Sequence, residues 1–268
     1  MESEINYQEI INAATYEDIC DYSIIPPEGK VFIDEILDKN CVIFCKTDFV
    51  GLLFDRIRYS DKKYVLVTHH SDYSINYNLY SFKPECIIKW FAINVEHDDP
   101  NLISIPLGIK THKGIYLEGR YMTKWFVENL KILKDIPKQN IIYCNWTDTN
   151  SFRNSIIEKL EKNKLNFKLE NNLSFDKYIT NMSSCKYVIS PPGNGIDCHR
   201  TWEALYMGCI PIVIKNRIYE SWKDLPILQV EDYSELSIDL LNNFCEKNFD
   251  KEKLYLGYWK KLIRNNIW

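Results

Sequence analysis

Two patterns of apolar and polar residues alternate along the chain, and each change from one to the other marks a new predicted element. Short, nearly unbroken apolar runs predict buried strands at 41–46, 64–68, 85–93, 102–106, 141–144, 165–169, 186–190 and 227–230, with a further strand ending at Val213. Helical spacing predicts helices at 7–20, 30–38, 49–58, 121–133, 151–163, 175–184, 234–246 and 251–264. Strands separated by helices are typical of an α/β fold with parallel sheets covered on both faces.

This pattern is interrupted near the middle of the chain, where Asp135-Ile-Pro-Lys-Gln-Asn140 combines a proline with polar residues. A length of 268 residues is sufficient for two smaller α/β domains. The sequence therefore predicts an N-terminal domain at 1–135 and a C-terminal domain at 136–268, with the last helix free to pack back on the first domain.

The stretch from Val188 to Val213 is the most informative, because it reads as strand, glycine loop, helix and strand without interruption. Its loop contains Gly193, Asn194 and Gly195, and glycines allow the backbone to turn sharply and to approach a ligand closely. The helix that follows directs its amide groups and the positive end of its dipole at the same place. This arrangement favours an anion such as a phosphate.

Two charged residues of that helix extend the prediction. Arg200 lies in the first turn and Glu203 lies three residues later, so their side chains share one helix face. A guanidinium suits phosphate oxygens and a carboxylate suits sugar hydroxyls, and together they predict a nucleotide-sugar site. The alternative is a surface ion pair that contributes about 0.5 kcal/mol or less.

The same stretch resembles the donor-binding signature of the exostosin-like glycosyltransferases. The matching residues, in the family's order, are Pro191-Pro192-Gly193, Cys198, Arg200, Trp202, Glu203-Ala204 and Gly208-Cys209-Ile210-Pro211-Ile212. The resemblance implies a glycosyltransferase of the GT-B fold, in which two Rossmann-like α/β domains face each other across a cleft that holds the active site. It also implies a UDP-sugar donor, an inverting reaction and no essential metal ion or other cofactor.

A second segment also resembles part of the family's donor side. The string Tyr143-Cys-Asn-Trp-Thr-Asp-Thr-Asn-Ser-Phe-Arg153 is similar to a strand, loop and helix start that face the donor. The resemblance adds Asn145 and Arg153 to the donor-binding residues. A solvated helix arginine remains the alternative for Arg153.

Transfer of a sugar requires a base that accepts the proton of the acceptor hydroxyl. The best segment for this base is Val67-Thr68-His69-His70-Ser71-Asp72, which leaves a predicted buried strand. Asp72 is the favoured base and His70 the second candidate, while His69 and Asn94 are expected on the acceptor side. The alternative is that the histidines only satisfy backbone groups. Adjacent residues of an extended segment point to opposite sides, which disfavours a metal site here.

Composition and charge narrow the classes of function. The chain has 46% hydrophobic residues and a net charge of −4, without a concentrated basic stretch, so nucleic acid is not an expected partner. No apolar run approaches the roughly 20 residues of a membrane helix, and the first residues do not resemble a signal peptide. The expectations are therefore a cytoplasmic location and, for the nine cysteines, reduced thiols in the core.

These observations lead to one functional prediction and two alternatives. The prediction is a glycosyltransferase that moves a sugar from a UDP-sugar, with UDP-xylose favoured, to a hydroxyl of a glycan or glycoprotein acceptor. The first alternative is a nucleotide-sugar or glycan-binding protein without catalytic activity. The second is a fucosyltransferase-like enzyme that uses a GDP-sugar.

Overall fold

Residues 7–25, 39–110, 116–146, 153–245 and 248–266 are described in the computed structural model of the chain. The predicted helix at 30–38 lies outside these ranges. The chain divides into two compact units. We call Gln8–Leu107 with Tyr255–Trp268 the first-sheet unit, and Met1–Tyr7 with Gly108–Leu254 the second-sheet unit.

The first-sheet unit contains a five-stranded sheet of β1 (Tyr22–Ile24), β2 (Cys41–Lys46), β3 (Tyr64–His69), β4 (Ile87–Ala92) and β5 (Leu102–Ser104). Neighbouring strands are parallel, and their order in space is the same as their order in sequence. All residues of β3 and the first five of β2 are buried. This burial explains why both strands read as continuous apolar runs instead of alternating ones.

The helices described in this unit are α1 (Ala13–Asp18), α2 (Val50–Ile57), α3 (Tyr77–Tyr80) and α10 (Leu256–Arg264). Helix α2 buries one face, because its apolar residues recur every three or four positions. Helix α10 contacts α1, and Arg264 Nη1 donates to Asp21 Oδ1 at 2.8 Å. The last helix therefore belongs with the first sheet.

The second-sheet unit contains β6 (Gln139–Cys144), β7 (Phe167–Leu169), β8 (Cys185–Ile189), β9 (Ile210–Ile214) and β10 (Leu228–Val230). Its strands are also parallel, but their order in space is β10-β9-β8-β6-β7. When the strands are counted from β6, this is the doubly wound order 2-1-3-4-5. The protein is thus an α/β protein with two parallel five-stranded sheets, as Rossmann-like domains have.

The helices described in the second-sheet unit are α4 (Tyr116–Lys134), α5 (Asn154–Lys162), α6 (Phe175–Ser183), α7 (His199–Tyr206), α8 (Arg217–Glu220) and α9 (Ile238–Cys245). The division between the units falls before α4, whereas the sequence analysis placed it after residue 135. Helix α4 belongs with the second sheet because Phe126 packs against Phe175 of α6 and Tyr206 of α7, with ring centroids 6.4 and 6.0 Å apart.

The structure differs from the predicted elements in the N-terminal helix and in the shortest elements. Residues 7–20 form a 3-10 turn and the separate helix α1, which starts anew because Asn12 caps it. Asn12 Oδ1 accepts from Thr15 N, and Thr15 Oγ1 accepts from Asn12 N, both at 3.0 Å. The sequence analysis does not predict β1, α3 and α8, each of which has only three or four residues.

Two further expectations concern the thiols and the membrane. The eight cysteines whose side chains the structure describes are all free thiols, and six of them are buried. These six thiols therefore lie in the core, as predicted. Within the described ranges, none of the helices combines the length and the apolar composition that a bilayer span requires.

Candidate functional site

The second sheet has a topological switch point, where the chain changes the direction in which it adds strands. From β6 the chain continues to β7 on one side and then returns to the other side of β6 to form β8. In parallel sheets of this kind, ligands bind beyond the carboxyl ends of the two strands that flank the switch point. Here these ends lead into Asn145 after β6 and into the glycine loop after β8. The candidate site lies at this edge of the second sheet.

A network of small polar side chains holds the turn from β8 into α7. Ser190 follows β8 and is buried, and its Oγ lies 2.9 Å from Thr201 Oγ1 and 3.0 Å from Cys198 Sγ. Cys198 is the N-cap residue of α7. The network joins the end of the strand to the first turn of the helix. It therefore fixes the direction in which the positive end of the α7 dipole points.

Asp197 connects the same turn to the core. Its side chain is buried, with Oδ1 accepting from Cys198 N at 2.8 Å and Oδ2 accepting from Trp202 Nε1 at 2.7 Å. The indole of Trp202 packs edge-on against Trp222, with ring centroids 4.9 Å apart. A negative charge beside a helix N-terminus is favourable, so Asp197 stabilises the start of α7 as well as anchoring it.

The glycine loop packs closely against Arg153, the residue that precedes α5. Arg153 is only 4% exposed, and its Nη2 donates to Pro192 O at 2.9 Å. A Cβ atom at Gly193 would lie 3.4 Å from the same nitrogen, at the limit of van der Waals contact. Among the described glycines, positive φ occurs at Gly108 and Gly208 instead. Gly193 therefore provides close packing against Arg153, without a positive φ.

The tip of the loop is open to solvent. Gly193 N donates to Gly195 O at 3.1 Å, which closes a tight turn around Asn194. Asn194 is exposed at the tip of that turn. The three predicted loop residues are thus brought together, with the floor of the loop held by Arg153 and its tip accessible.

Arg200 lies in the first turn of α7 and is half-buried. Its Nη1 lies 3.9 Å from Cys198 Sγ, and its enclosed Nε has no hydrogen-bond partner among the described residues. No carboxylate in the described part of the chain forms an ion pair with it. Burial acts to lower the pKa of Arg200, but Cys198, Tyr178 and Glu203 outweigh burial, and the pKa is raised. The guanidinium therefore remains charged and has capacity for an anionic ligand.

Glu203 follows one turn later on α7 and is only 3% exposed. Its Oε2 accepts a hydrogen bond from the hydroxyl of Tyr178, on α6, at 2.8 Å. Burial raises the pKa of Glu203, while the Tyr178 hydrogen bond and the charge of Arg200 oppose that shift. Burial, followed by the charge of Glu203, raises the pKa of Tyr178 well above its usual value. The pair is a buried carboxylate oriented by a phenol donor.

Asn145, a predicted donor-side residue, directly follows β6 at the switch point. Its Nδ2 donates to Glu170 O at 2.8 Å, and Glu170 N in turn donates to Cys144 O at 3.0 Å. The Asn145 amide therefore joins the ends of β6 and β7. This contact positions the loop after β6.

The predicted base and acceptor-side residues belong to the first-sheet unit, where they lie at or shortly after the carboxyl ends of β3 and β4. His70 after β3 and Asn94 after β4 both have positive φ, at 61° and 52°. Such backbone angles cost non-glycine residues about 1 to 3 kcal/mol and are concentrated at functional sites. Asn94 is buried and its Nδ2 donates to Ser71 O at 3.4 Å, whereas Asp72 is exposed.

His69 is buried at the end of β3. Its Nδ1 accepts from His70 N at 2.8 Å, so the ring proton is on Nε2, which lies 3.2 Å from Leu107 O and donates to it. Both ring nitrogens thus bond to the backbone, which corresponds to the structural alternative of the sequence analysis. The His70 ring packs edge-on against Phe44, with centroids 6.1 Å apart.

Comparisons with known proteins leave the family open. No protein-family model matches the chain. No curated protein matches it either. The chain is similar to a solved structure titled "Crystal structure of GtfA/B complex", with 11% sequence identity and a TM-score of 0.38. That match covers 87% of this chain and 55% of the other, so the chain spans about half the length of its structural neighbour. Values this low bear on neither the family nor the activity.

Sequence reasoning missed two residues of the site. Tyr178 lies on the apolar face of α6, and nothing in its neighbourhood indicates a carboxylate that is 25 residues away. Asp197 gives a weak signal, because an acid directly before a predicted helix is a frequent N-terminal feature.

Within the described ranges, no group of three or more His, Cys, Asp or Glu side chains is placed to hold a metal ion.

Proposed function

We propose that the protein is a glycosyltransferase that binds a nucleotide-sugar donor at the switch point of the second sheet. One observation carries the proposal: Arg200 stands at the α7 N-terminus beside the switch point, charged, with an unbonded Nε and without a close ion pair to any carboxylate of the described residues. A diphosphate supplies the charge and the acceptor oxygens that this guanidinium and the helix dipole lack.

The donor-side residues take distinct roles in this proposal. Arg200 and the amides of the glycine loop bind the diphosphate, and Glu203 binds the ribose hydroxyls. Arg153 supports the loop from below through its bond to Pro192 O. Tyr178 holds the Glu203 carboxylate in one orientation. Asn145 holds the neighbouring strand end.

Transfer proceeds in one displacement step. The acceptor oxygen forms a bond to the anomeric carbon as the bond from that carbon to the diphosphate breaks, and the electron pair leaves with the nucleotide. Asp72 accepts the acceptor proton, with His70 as the second candidate. Inversion, a uridine donor with xylose favoured, and independence of metal ions follow from the family resemblance, as does a glycan or glycoprotein acceptor.

Thermal unfolding with UDP, GDP, CDP and several UDP-sugars, each with and without EDTA, tests donor binding. At 100 times its Kd a ligand stabilises by about 2.7 kcal/mol, which raises Tm by roughly 5 to 10 °C for a chain of this size. We expect UDP compounds to raise Tm selectively, with or without EDTA. A selective effect of GDP would favour the fucosyltransferase-like alternative, and no effect of any nucleotide would contradict the proposal.

The variant Arg200→Ala tests the proposed contact between Arg200 and the diphosphate of UDP. Loss of charge-assisted hydrogen bonds should weaken UDP binding by about 10- to 100-fold in calorimetric titration. Arg58→Ala is the matched control, because Arg58 forms only an exposed pair with Asp55 at 3.4 Å in the other unit. Equal UDP affinity in both variants would remove Arg200 from the site.

Asp72→Asn tests the catalytic half of the proposal. The variant should bind UDP normally and lose transfer, because an amide cannot accept the acceptor proton. Unchanged turnover would assign the base elsewhere. Wild-type protein that binds UDP-sugars but neither transfers nor hydrolyses them would support the non-catalytic alternative.

A further inference from the structure

Four aromatic rings run in succession from the core of the first-sheet unit to its surface. Trp90 of β4 is fully buried and stacks on Tyr80 of α3, with centroids 6.0 Å apart. Tyr80 contacts His97 at 4.8 Å, and His97 contacts Tyr77 at 5.4 Å. Tyr77 is 66% exposed. The first contact is stacked, the second tilted and the third edge-on, so a chain of ring contacts connects the exposed Tyr77 ring to the core. We call these four residues the aromatic ladder.

The loops that carry the ladder are joined to each other. Residue Ile75, after β3, forms a parallel bridge to Val95, after β4. Ile75 N donates to Asn94 O at 3.0 Å, and Glu96 N donates to Ile75 O at 2.9 Å. Since the backbone is held on both sides, the exposed ring is presented in one place, and a ligand that stacks on it does not have to order the loop first.

Polar groups fix the middle of the ladder. Burial, followed by the Asp99 carboxylate, raises the pKa of the Tyr80 hydroxyl, and Asp99 Oδ1 accepts from Asn101 N at 2.7 Å. The amide of Asn101 and the Tyr80 hydroxyl lower the pKa of Asp99, which keeps it charged. Asn76 Oδ1 caps α3 by accepting from Leu79 N at 3.0 Å, immediately before Tyr77. The exposed ring thus stands on a capped helical turn.

The surroundings of the exposed rings are polar and acidic. Tyr73, which is 63% exposed, and Tyr77 alternate with Asp72, Ser74 and Asn76. Residues 72–99 contain five carboxylates and two lysines, a charge that repels a phosphate backbone. In sequence, Tyr73 and Tyr77 are separated by polar residues and the buried Ile75, unlike the more apolar core of a protein interface. Single rings among carboxylates, amides and hydroxyls match a ligand with apolar C–H faces and hydroxyl edges.

We propose that the aromatic ladder binds a neutral pyranose ring of a glycan. The C–H face of the sugar stacks on Tyr77, and its hydroxyls bond to polar groups at the edges, including the imidazole of His97. The surface lies beyond the carboxyl ends of β3 and β4, on the side of a parallel sheet where ligands bind. This sugar site requires no donor and is independent of the switch point of the second sheet.

Saturation-transfer NMR with xylobiose, cellobiose, lactose and maltose at millimolar concentration tests this site. We expect transfer to the C–H protons of at least one disaccharide. Tyr77→Ala should weaken its binding by roughly five- to tenfold, because the ring contributes the stacking face. Tyr77→Phe keeps that face and should retain binding. Tyr59→Ala is the matched control, since Tyr59 is 94% exposed and lies outside the ladder.

Three results would overturn the proposal. They are no transfer to any of the four sugars, equal transfer in wild type and Tyr77→Ala, and equal loss in Tyr59→Ala. Sedimentation gives a further check, because a dimer that Tyr77→Ala dissociates would assign the surface to protein contact instead. The UDP effect on Tm should be the same in Tyr77→Ala and wild type, so failure of the sugar site and failure of the donor site are distinguishable.

Discussion

The two sheets have the same number of parallel strands, yet their carboxyl edges are built differently. In the second sheet the strand order reverses between β6 and β8, and a helix N-terminus with an arginine stands at the reversal. In the first sheet the described strands follow in sequence order, so no reversal occurs. Its edge is closed by loops that bond to each other at Asn94 and Ile75 and that expose aromatic rings. The proposed anion site and the proposed sugar surface thus lie at sheet edges that differ in strand order.

The largest effect is expected at the second sheet, from Asp197→Ala. The change leaves the indole of Trp202 and the amide of Cys198 without their carboxylate, and it should lower the free energy of unfolding by about 2 to 4 kcal/mol. Urea unfolding measures the difference. Asp224→Ala, which removes an exposed pair with Lys253, should change it far less. Similar losses in both variants would show that Asp197 does not anchor α7.

His69→Ala is the corresponding change at the first sheet. Loss of two buried hydrogen bonds should cost about 1 to 3 kcal/mol in urea unfolding. The effect of UDP on Tm should be retained, because the His69 imidazole bonds only to backbone groups in the contacts described above, and the proposed UDP site belongs to the second-sheet unit. If the variant unfolds at the same urea concentration as wild type, His69 has no structural role. This result would support the predicted acceptor-side role.

Glu203→Gln tests whether the buried, ionised carboxylate of Glu203 lowers the free energy of unfolding of the protein. Burial raises the folded pKa of Glu203 above the unfolded value of 4.5. Its stabilising contribution is therefore complete below pH 4.5 and is lost as the pH rises through the folded pKa. The stability of the Gln variant relative to wild type should increase with pH over this window. Exposed Glu161→Gln should show no such trend, and a flat difference for Glu203→Gln would contradict the prediction.

The smallest expected change in stability concerns residues with positive φ in the two units. Lys164, exposed after α5, has φ of 54°, and Lys164→Gly should stabilise by roughly 0.5 to 1 kcal/mol, since glycine adopts this angle without strain. Asn94→Gly relieves the same backbone angle but removes the bond to Ser71 O, so it should give no gain. Thermal unfolding of both variants checks the contrast. An equal gain at both positions would mean that the Asn94 side chain contributes nothing to the first-sheet edge.

The α/β class and most of the strands could be predicted from the sequence. The bounds of β2 agree residue by residue with the apolar run at 41–46, and Arg200 lies in the first helical turn as its spacing indicates. Both are local properties, because a buried strand and a helix start depend on neighbouring residues. The division between the units differs from the predicted boundary, since the packing of Phe126 on Phe175 and Tyr206 joins residues far apart in sequence.

By itself, the sequence determined that the chain is an α/β protein with a glycine loop entering a helix that carries Arg200 and Glu203. Only the tertiary structure decided that this loop stands at a strand reversal, that Tyr178 orients Glu203, and that both nitrogens of His69 are used by the backbone. It also brought Trp90, Tyr80, His97 and Tyr77 into one ladder. The periodicity of apolar residues indicates which face of a helix or strand is buried. Packing in three dimensions determines which residues of different strands and helices contact each other.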